Sequence, residues 1–120
     1  MYYFSSIGVI TIFIIDKLNR INLTKGDTAI MNVGIYDLED GEYIPKDTDT
    51  ITFTVRNQTS AQPVITKIAD NLGYIELTPE DTSALNTGLY LYDVQLSTNE
   101  GRIYTIIPAT LFTLSREVTQ

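Results

Sequence analysis

Alternation of apolar and polar residues at a period of two recurs along this chain, and no other pattern restricts its fold as much. Ile51, Phe53 and Val55 alternate strictly with Thr52, Thr54 and Arg56. Tyr90, Tyr92, Val94 and Leu96 fall on one side of a second run, and Ala29, Met31, Val33 and Ile35 on one side of a third, from Thr28 to Tyr36. Successive side chains of a strand point to opposite faces, so each run reads as a strand and not as a helix. The Ile51 to Arg56 run is expected to keep one face wet. Residue types agree: the chain has 16 Ile, 6 Val and 17 Thr against 5 Ala. β-branched side chains lose rotamer freedom in helices and fit a pleated surface.

Turn signals punctuate these runs every eight to twelve residues, the rhythm of a sandwich or barrel. Val9 to Ile15 is expected as a first long strand, with Tyr2 to Phe4 as a hairpin partner and Lys17 to Arg20 as a polar turn. A short strand at Ile21 to Leu23 follows, then a turn at Lys25-Gly26-Asp27. Asp40-Gly41 is the strongest two-residue hairpin signal, because both central positions of a type I′ turn need positive φ. Asn57 to Gln62 is a polar loop, and Pro63 argues against a central strand beginning there. Val64 to Ala69 and Tyr74 to Leu77 are expected to pair around Asp70 to Gly73. Gly88 to Ser97 and Arg102 to Ile107 form a hairpin around Thr98 to Gly101. Pro108 breaks that run, and Leu111 to Leu114 supplies a final strand.

One helical turn interrupts the strands. Thr78-Pro79-Glu80-Asp81 offers a capping hydroxyl, proline at the first helical position and acids in the first turn. Asn86-Thr87-Gly88 stops it. No repeat, linker or low-complexity segment divides the sequence, so residues 1–120 are expected to form one domain.

Composition excludes several functions. The formal net charge is −7, and the eight Lys and Arg are scattered. Phosphate binding releases counterions only from a basic surface, so neither nucleic acid nor an anionic membrane is expected as a partner. The chain has no Cys and no His. That removes disulfides, thiolate metal sites and the commonest general base. Ile7 to Ile15 is apolar but far shorter than the ~20 residues that span a bilayer. It has neither the basic leader nor the cleavage site of a signal peptide, and reads as a core strand.

The candidate constellations are structural when weighed one by one. Asp37, Glu39, Asp40, Glu42, Asp47 and Asp49 crowd one segment, but their spacing does not fit a calcium loop, and a solvated hairpin tip explains them. No carboxylate pair lies in an apolar context that would raise one pKa, as glycoside hydrolysis needs. Asn22-Leu23-Thr24 and Asn57-Gln58-Thr59 match the glycosylation triplet, which is short enough to occur by chance. Tyr2, Tyr3, Tyr36, Tyr43, Tyr74, Tyr90, Tyr92 and Tyr104 would make an aromatic platform only if they stood exposed together. No residue is assigned as catalytic, cofactor-binding or metal-ligating, no cofactor is expected, and the chain reads as a non-enzyme.

Leu85-Asn86-Thr87-Gly88-Leu89-Tyr90-Leu91-Tyr92-Asp93 is more informative. In immunoglobulin-type folds a tyrosine opening strand F hydrogen-bonds to the chain just upstream and fixes a corner. A helical turn, then Gly-x-Tyr, then a strand matches that order, and Tyr92 stands where an antibody domain carries its second cysteine. The expected fold is all-β, an immunoglobulin-like antiparallel β-sandwich with one short helical turn.

The order of these segments resembles a family of small phage and prophage structural domains that includes the N-terminal domain of siphophage baseplate upper proteins. The resemblance covers about Ile21 to Thr119, beginning with Ile21-Asn22-Leu23-Thr24-Lys25-Gly26-Asp27-Thr28 and passing through Asp49 to Arg56 and Gly73 to Thr78. It continues through Asp81-Thr82, Leu85 to Leu96 and Gly101 to Ile106. It implies a non-enzymatic assembly module of a phage tail or baseplate, located in the virion and, during assembly, in the host cytoplasm. Its implied partners are other tail or baseplate proteins, in an oligomer, through exposed edges at Tyr2 to Phe4 or Leu111 to Leu114. The family pattern is architectural and assigns no site residue. A carbohydrate-binding module for host-surface glycans is the alternative.

Overall fold

A computed structural model describes residues 13–15, 19–37 and 41–116. Ten strands and one short helix follow one another in the order β1 (Phe13–Ile15), β2 (Ile21–Thr24), β3 (Ala29–Asn32), β4 (Ile35–Asp37), β5 (Gly41–Tyr43), β6 (Thr50–Asn57), β7 (Pro63–Ile68), β8 (Tyr74–Leu77), α1 (Pro79–Ser83), β9 (Gly88–Ser97) and β10 (Ile103–Ser115). The fold is all-β. Six strands make one sheet in the order β1-β2-β10-β9-β6-β7, while β3 with β8 and β4 with β5 form two-stranded ribbons. The large sheet is mixed and not purely antiparallel as expected, because β2 and β10 run parallel, with Ile21 beside Phe112 and Leu23 beside Leu114.

The alternating residues build the core. Ile21, Leu23, Ala29, Met31, Ile51, Phe53, Val55, Ile75, Leu77, Tyr92, Val94, Phe112 and Leu114 are buried, and with Val33, Ile35, Ile65, Tyr90, Leu96, Ile106 and Ile107 they form one cluster. Both the six-stranded sheet and the β3–β8 ribbon contribute to it. At its centre the Tyr92 ring lies 5.2 Å from Phe53 and 6.4 Å, edge-on, from Phe112. Aromatic pairs at such tilts are favoured over face-to-face stacking.

Several expectations are corrected where pairing is non-local. The Thr28 to Tyr36 run is two strands. Its inward residues stay buried throughout, but β3 pairs with β8 and β4 with β5, so the chain changes partner at Val33-Gly34. The β4–β5 hairpin exists, yet Gly41 lies within β5 opposite Asp37, so Asp40-Gly41 is not its two-residue turn. The segments before and after Asp70 to Gly73 do not pair with each other, since β7 joins β6 and β8 joins β3. The loop instead carries the chain between layers. There the Asp70 carboxylate accepts from the N–H groups of Leu72 and Tyr74, both at 2.9 Å. Gly73 has φ +86, and a Cβ on it would lie 3.1 Å from the Val33 carbonyl oxygen. Only glycine suits that approach.

Pro108 does not end a strand. β10 continues from Ile103 to Ser115, with one register shift between Thr105 and Ile107 and a second, spanning Pro108, between Ile107 and Thr110. A bulge absorbs the missing N–H, and the Thr110 hydroxyl donates to the Pro108 carbonyl at 2.6 Å. Leu111 to Leu114 is therefore not an edge, being flanked by β9 and, from Phe112 on, by β2. The described edges of the sheet are β1 and β7, which leaves Pro63 on an edge as expected. Thr54 is buried although it points away from the core; Asp93 and Thr66 lie directly beside it on the neighbouring strands. The expected Tyr2 to Phe4 strand and the Val9 to Ile12 part of the first strand lie outside the described residues.

The helix begins as the sequence indicates, with Thr78 as N-cap and Pro79 in the first turn. The Asp81 carboxylate accepts from the Thr78 N–H at 2.7 Å and from its hydroxyl at 3.1 Å. Thr82 is fully buried, and its hydroxyl accepts from the Gly26 N–H at 2.9 Å. This contact ties the helix to the β2–β3 turn.

Candidate functional site

The tyrosines of the Leu85 to Asp93 stretch are committed to the fold. The Tyr90 hydroxyl donates to the carbonyl of Asn86 at 2.6 Å, which is the corner bond expected from the sequence. The Tyr92 hydroxyl donates to the carbonyl of Asn19. Neither ring is open to a ligand, since both are buried. Tyr43, Tyr74 and Tyr104 are half-buried, so these five tyrosines do not form an exposed row.

The acidic segment is likewise tied down where it is described. The Asp49 carboxylate accepts the Tyr43 hydroxyl at 2.5 Å and the Lys46 N–H at 3.0 Å, closing the turn that leads into β6. Glu39 and Asp40 lie outside the described residues. Among those described, no three acidic side chains converge as a cation site. The turn forms one wall of an open cleft of about 370 Å³, which Tyr43, Lys46, Asp49, Glu100, Arg102 and Tyr104 help to line. Charges of both signs face it.

Of the two glycosylation triplets, Asn57 is engaged internally. Its Oδ1 accepts the Thr59 hydroxyl at 2.8 Å and the Thr59 N–H at 3.0 Å. The Oδ1 of Asn22 accepts the Ser115 hydroxyl at 2.7 Å.

At the rim between the layers, Lys67 of edge strand β7 reaches Asp81 at 2.9 Å. Burial pushes the Asp81 carboxyl pKa up, but the Thr78 N–H, Lys67 and the Thr78 hydroxyl together outweigh it and hold the pKa below the usual value. This ion pair spans the gap between β7 and the helix.

The surface that sequence reasoning missed is the outward face of the six-stranded sheet. Register assembles it in cross-strand rows. Thr105, Gln95, Thr52 and Ile68 form one row; Asp93, Thr54 and Thr66 form the next; Leu111, Leu91 and Arg56 form a third. Leu89 lies beyond them opposite Thr113, which in turn sits beside Asn22 of β2. Ile68, Leu89 and Ile103 on this face are exposed. In a chain of 15 acidic and 8 basic residues, the outward positions of β2, β6, β7, β9 and β10 carry one Arg and one Asp. These are Arg56 and Asp93, paired at 3.4 Å. Depletion of charge is the compositional mark of an interface centre. No sequence signal reveals it without the strand order, because its residues come from five separate segments.

No protein-family model matches the chain, and no curated protein matches it. Among the described residues, no helix is long and apolar enough to cross a membrane.

Proposed function

We propose that this chain is a non-enzymatic structural module of a phage tail or baseplate, built as an immunoglobulin-like sandwich and joined to neighbouring virion proteins through its sheet surface. The observation that carries the reading is the charge-depleted outward face, set beside tyrosines that hold the fold. An assembly module needs a broad, rigid, uncharged face more than it needs a pocket.

The strand order supports the finer fold assignment. In variable-type immunoglobulin domains the sheet of strands G, F and C is extended by C′, while B and E lie in the opposite sheet. On this reading β10, β9, β6 and β7 correspond to G, F, C and C′, β3 and β8 to B and E, and Tyr90 to the tyrosine near the start of strand F.

The test is mass spectrometry of purified tailed particles from a host that expresses the gene. The chain is expected in the particles at a fixed ratio to tail proteins, with cross-links from the outward face. Its absence from particles made while it is expressed would overturn the reading. A glycan array with reproducible hits would favour the carbohydrate-binding module instead.

A further inference from the structure

We infer that the partner of the outward face is a second copy of this chain, joined face to face about a two-fold axis. The inference rests on the assembly reading for its biological setting, but its geometry is independent of it.

The argument begins with four residues at the middle of the sheet. Thr54 pairs with Asp93 and Arg56 with Leu91, so these four form a block with Arg56 and Asp93 on one diagonal and Leu91 and Thr54 on the other. A two-fold axis lying along the Leu91–Thr54 diagonal, in the plane of contact, exchanges the other two corners. Arg56 of each copy then faces Asp93 of its partner, twice over. The two intramolecular pairs become one network of four alternating charges, with aliphatic and threonine side chains around it. The same operation sets the two sheets nearly at right angles, one of the two usual packings of sheet on sheet. An isologous contact requires this kind of self-complementarity.

Charge decides between a second copy and a repelled one. Each chain carries −7 overall, which disfavours contact through most of its surface. The outward face sums to zero, so here two copies meet without like-charge repulsion. Size is also adequate. The five strands hold 4, 8, 6, 10 and 13 residues, which at about 4.8 Å spacing and about 3.4 Å per residue give a face of roughly 650 Å², toward the lower end of standard interfaces, which bury ~800 Å² per partner. The aliphatic groups lie where such an interface needs them, with Leu111 directly opposite Leu91, itself a corner of the block, and exposed Leu89 near them.

Charge reversal tests this directly. The full-length chain is expected to sediment at twice the monomer mass in analytical ultracentrifugation, dissociating on dilution. Arg56→Asp places only acids at the exchanged corners, and Asp93→Arg places only bases. Each variant alone is expected to weaken self-association at least about tenfold. Mixing the two restores a dimer, now obligately mixed, which also shows that both are folded. Leu89→Glu, at a position already half exposed, should weaken the dimer too, whereas Ile44→Glu, on an exposed apolar residue elsewhere, should not. A wild-type chain that stays monomeric at every concentration overturns the inference, as does a dimer that survives both single reversals. The two readings fail separately. A monomer that is nevertheless found in particles removes only the self-pairing, and a charge-switchable dimer absent from particles removes only the virion role.

Discussion

The hydroxyl of Tyr90 donates to the carbonyl of Asn86, four residues upstream, and so fixes the angle at which the chain leaves α1 and enters β9. Tyr92, two residues on, donates to Asn19, 73 positions away. Both bonds join a buried ring to a backbone carbonyl, but one closes a local corner and the other ties β9 to the entrance of β2. Removing either hydroxyl leaves a carbonyl without its partner and costs about 1–3 kcal/mol. Tyr90→Phe is expected to lower the urea midpoint with an unchanged slope, while self-association per folded molecule stays as in the wild type. Loss of association without loss of stability would mean that Tyr90 belongs to a binding surface.

Asp81 makes stability depend on acid. Its folded pKa lies below the unfolded value of about 3.9, so the unfolded chain takes up the proton first. The stabilisation is therefore complete above that unfolded value and is lost as pH falls through the folded pKa. Asp81→Asn keeps the shape and loses the charge facing Lys67. It is expected to cost about 1 kcal/mol at neutral pH, and the difference from wild type should close in strong acid. Denaturant titrations at several pH values measure this.

Thr82 is buried and accepts from the Gly26 N–H. Thr82→Val has nearly the same volume but offers no acceptor. An orphaned N–H costs about 1–3 kcal/mol, so a clear fall in melting temperature is expected, and Thr82→Ser should recover most of it. Equal losses in both variants would assign the effect to packing of the methyl group.

Ala61 sits at φ 60 in the β6–β7 loop, a left-handed conformation that costs a residue with a Cβ about 1–2 kcal/mol. Ala61→Gly is expected to raise stability by about 0.5 kcal/mol, net of the glycine's greater unfolded freedom. Thermal unfolding would detect this as a rise of a few degrees.

The pattern of what could be read from the sequence follows the range of the interactions. Thr78, Pro79 and Asp81 lie close together in the chain, so the helix start was legible, as were the β9–β10 hairpin and the Tyr90 corner. Burial faces were legible wherever alternation ran unbroken, even across Val33-Gly34, where the strand partner changes. Partners were not. Nothing local in Val64 to Leu77 says that β7 and β8 enter different sheets, and nothing in Ile21 to Thr24 announces a parallel neighbour at Phe112 to Ser115. Pro108 misled because proline removes a donor but leaves a bulged strand free to continue. The outward face was illegible for the same reason as the pairings: the Arg56–Asp93 block exists only once β6 lies against β9.

The parallel contact of β2 with β10 gives the module a mechanical character. In a parallel pair the entry to one strand and the exit from the other lie at opposite ends. Tension applied at Ile21 itself and at Ser115 would therefore slide the two strands past each other instead of peeling them apart. Their backbone hydrogen bonds are then strained together and must fail together, as a rivet row does under shear. A strand pair so loaded resists a pull along its length far better than a hairpin opened from its tip.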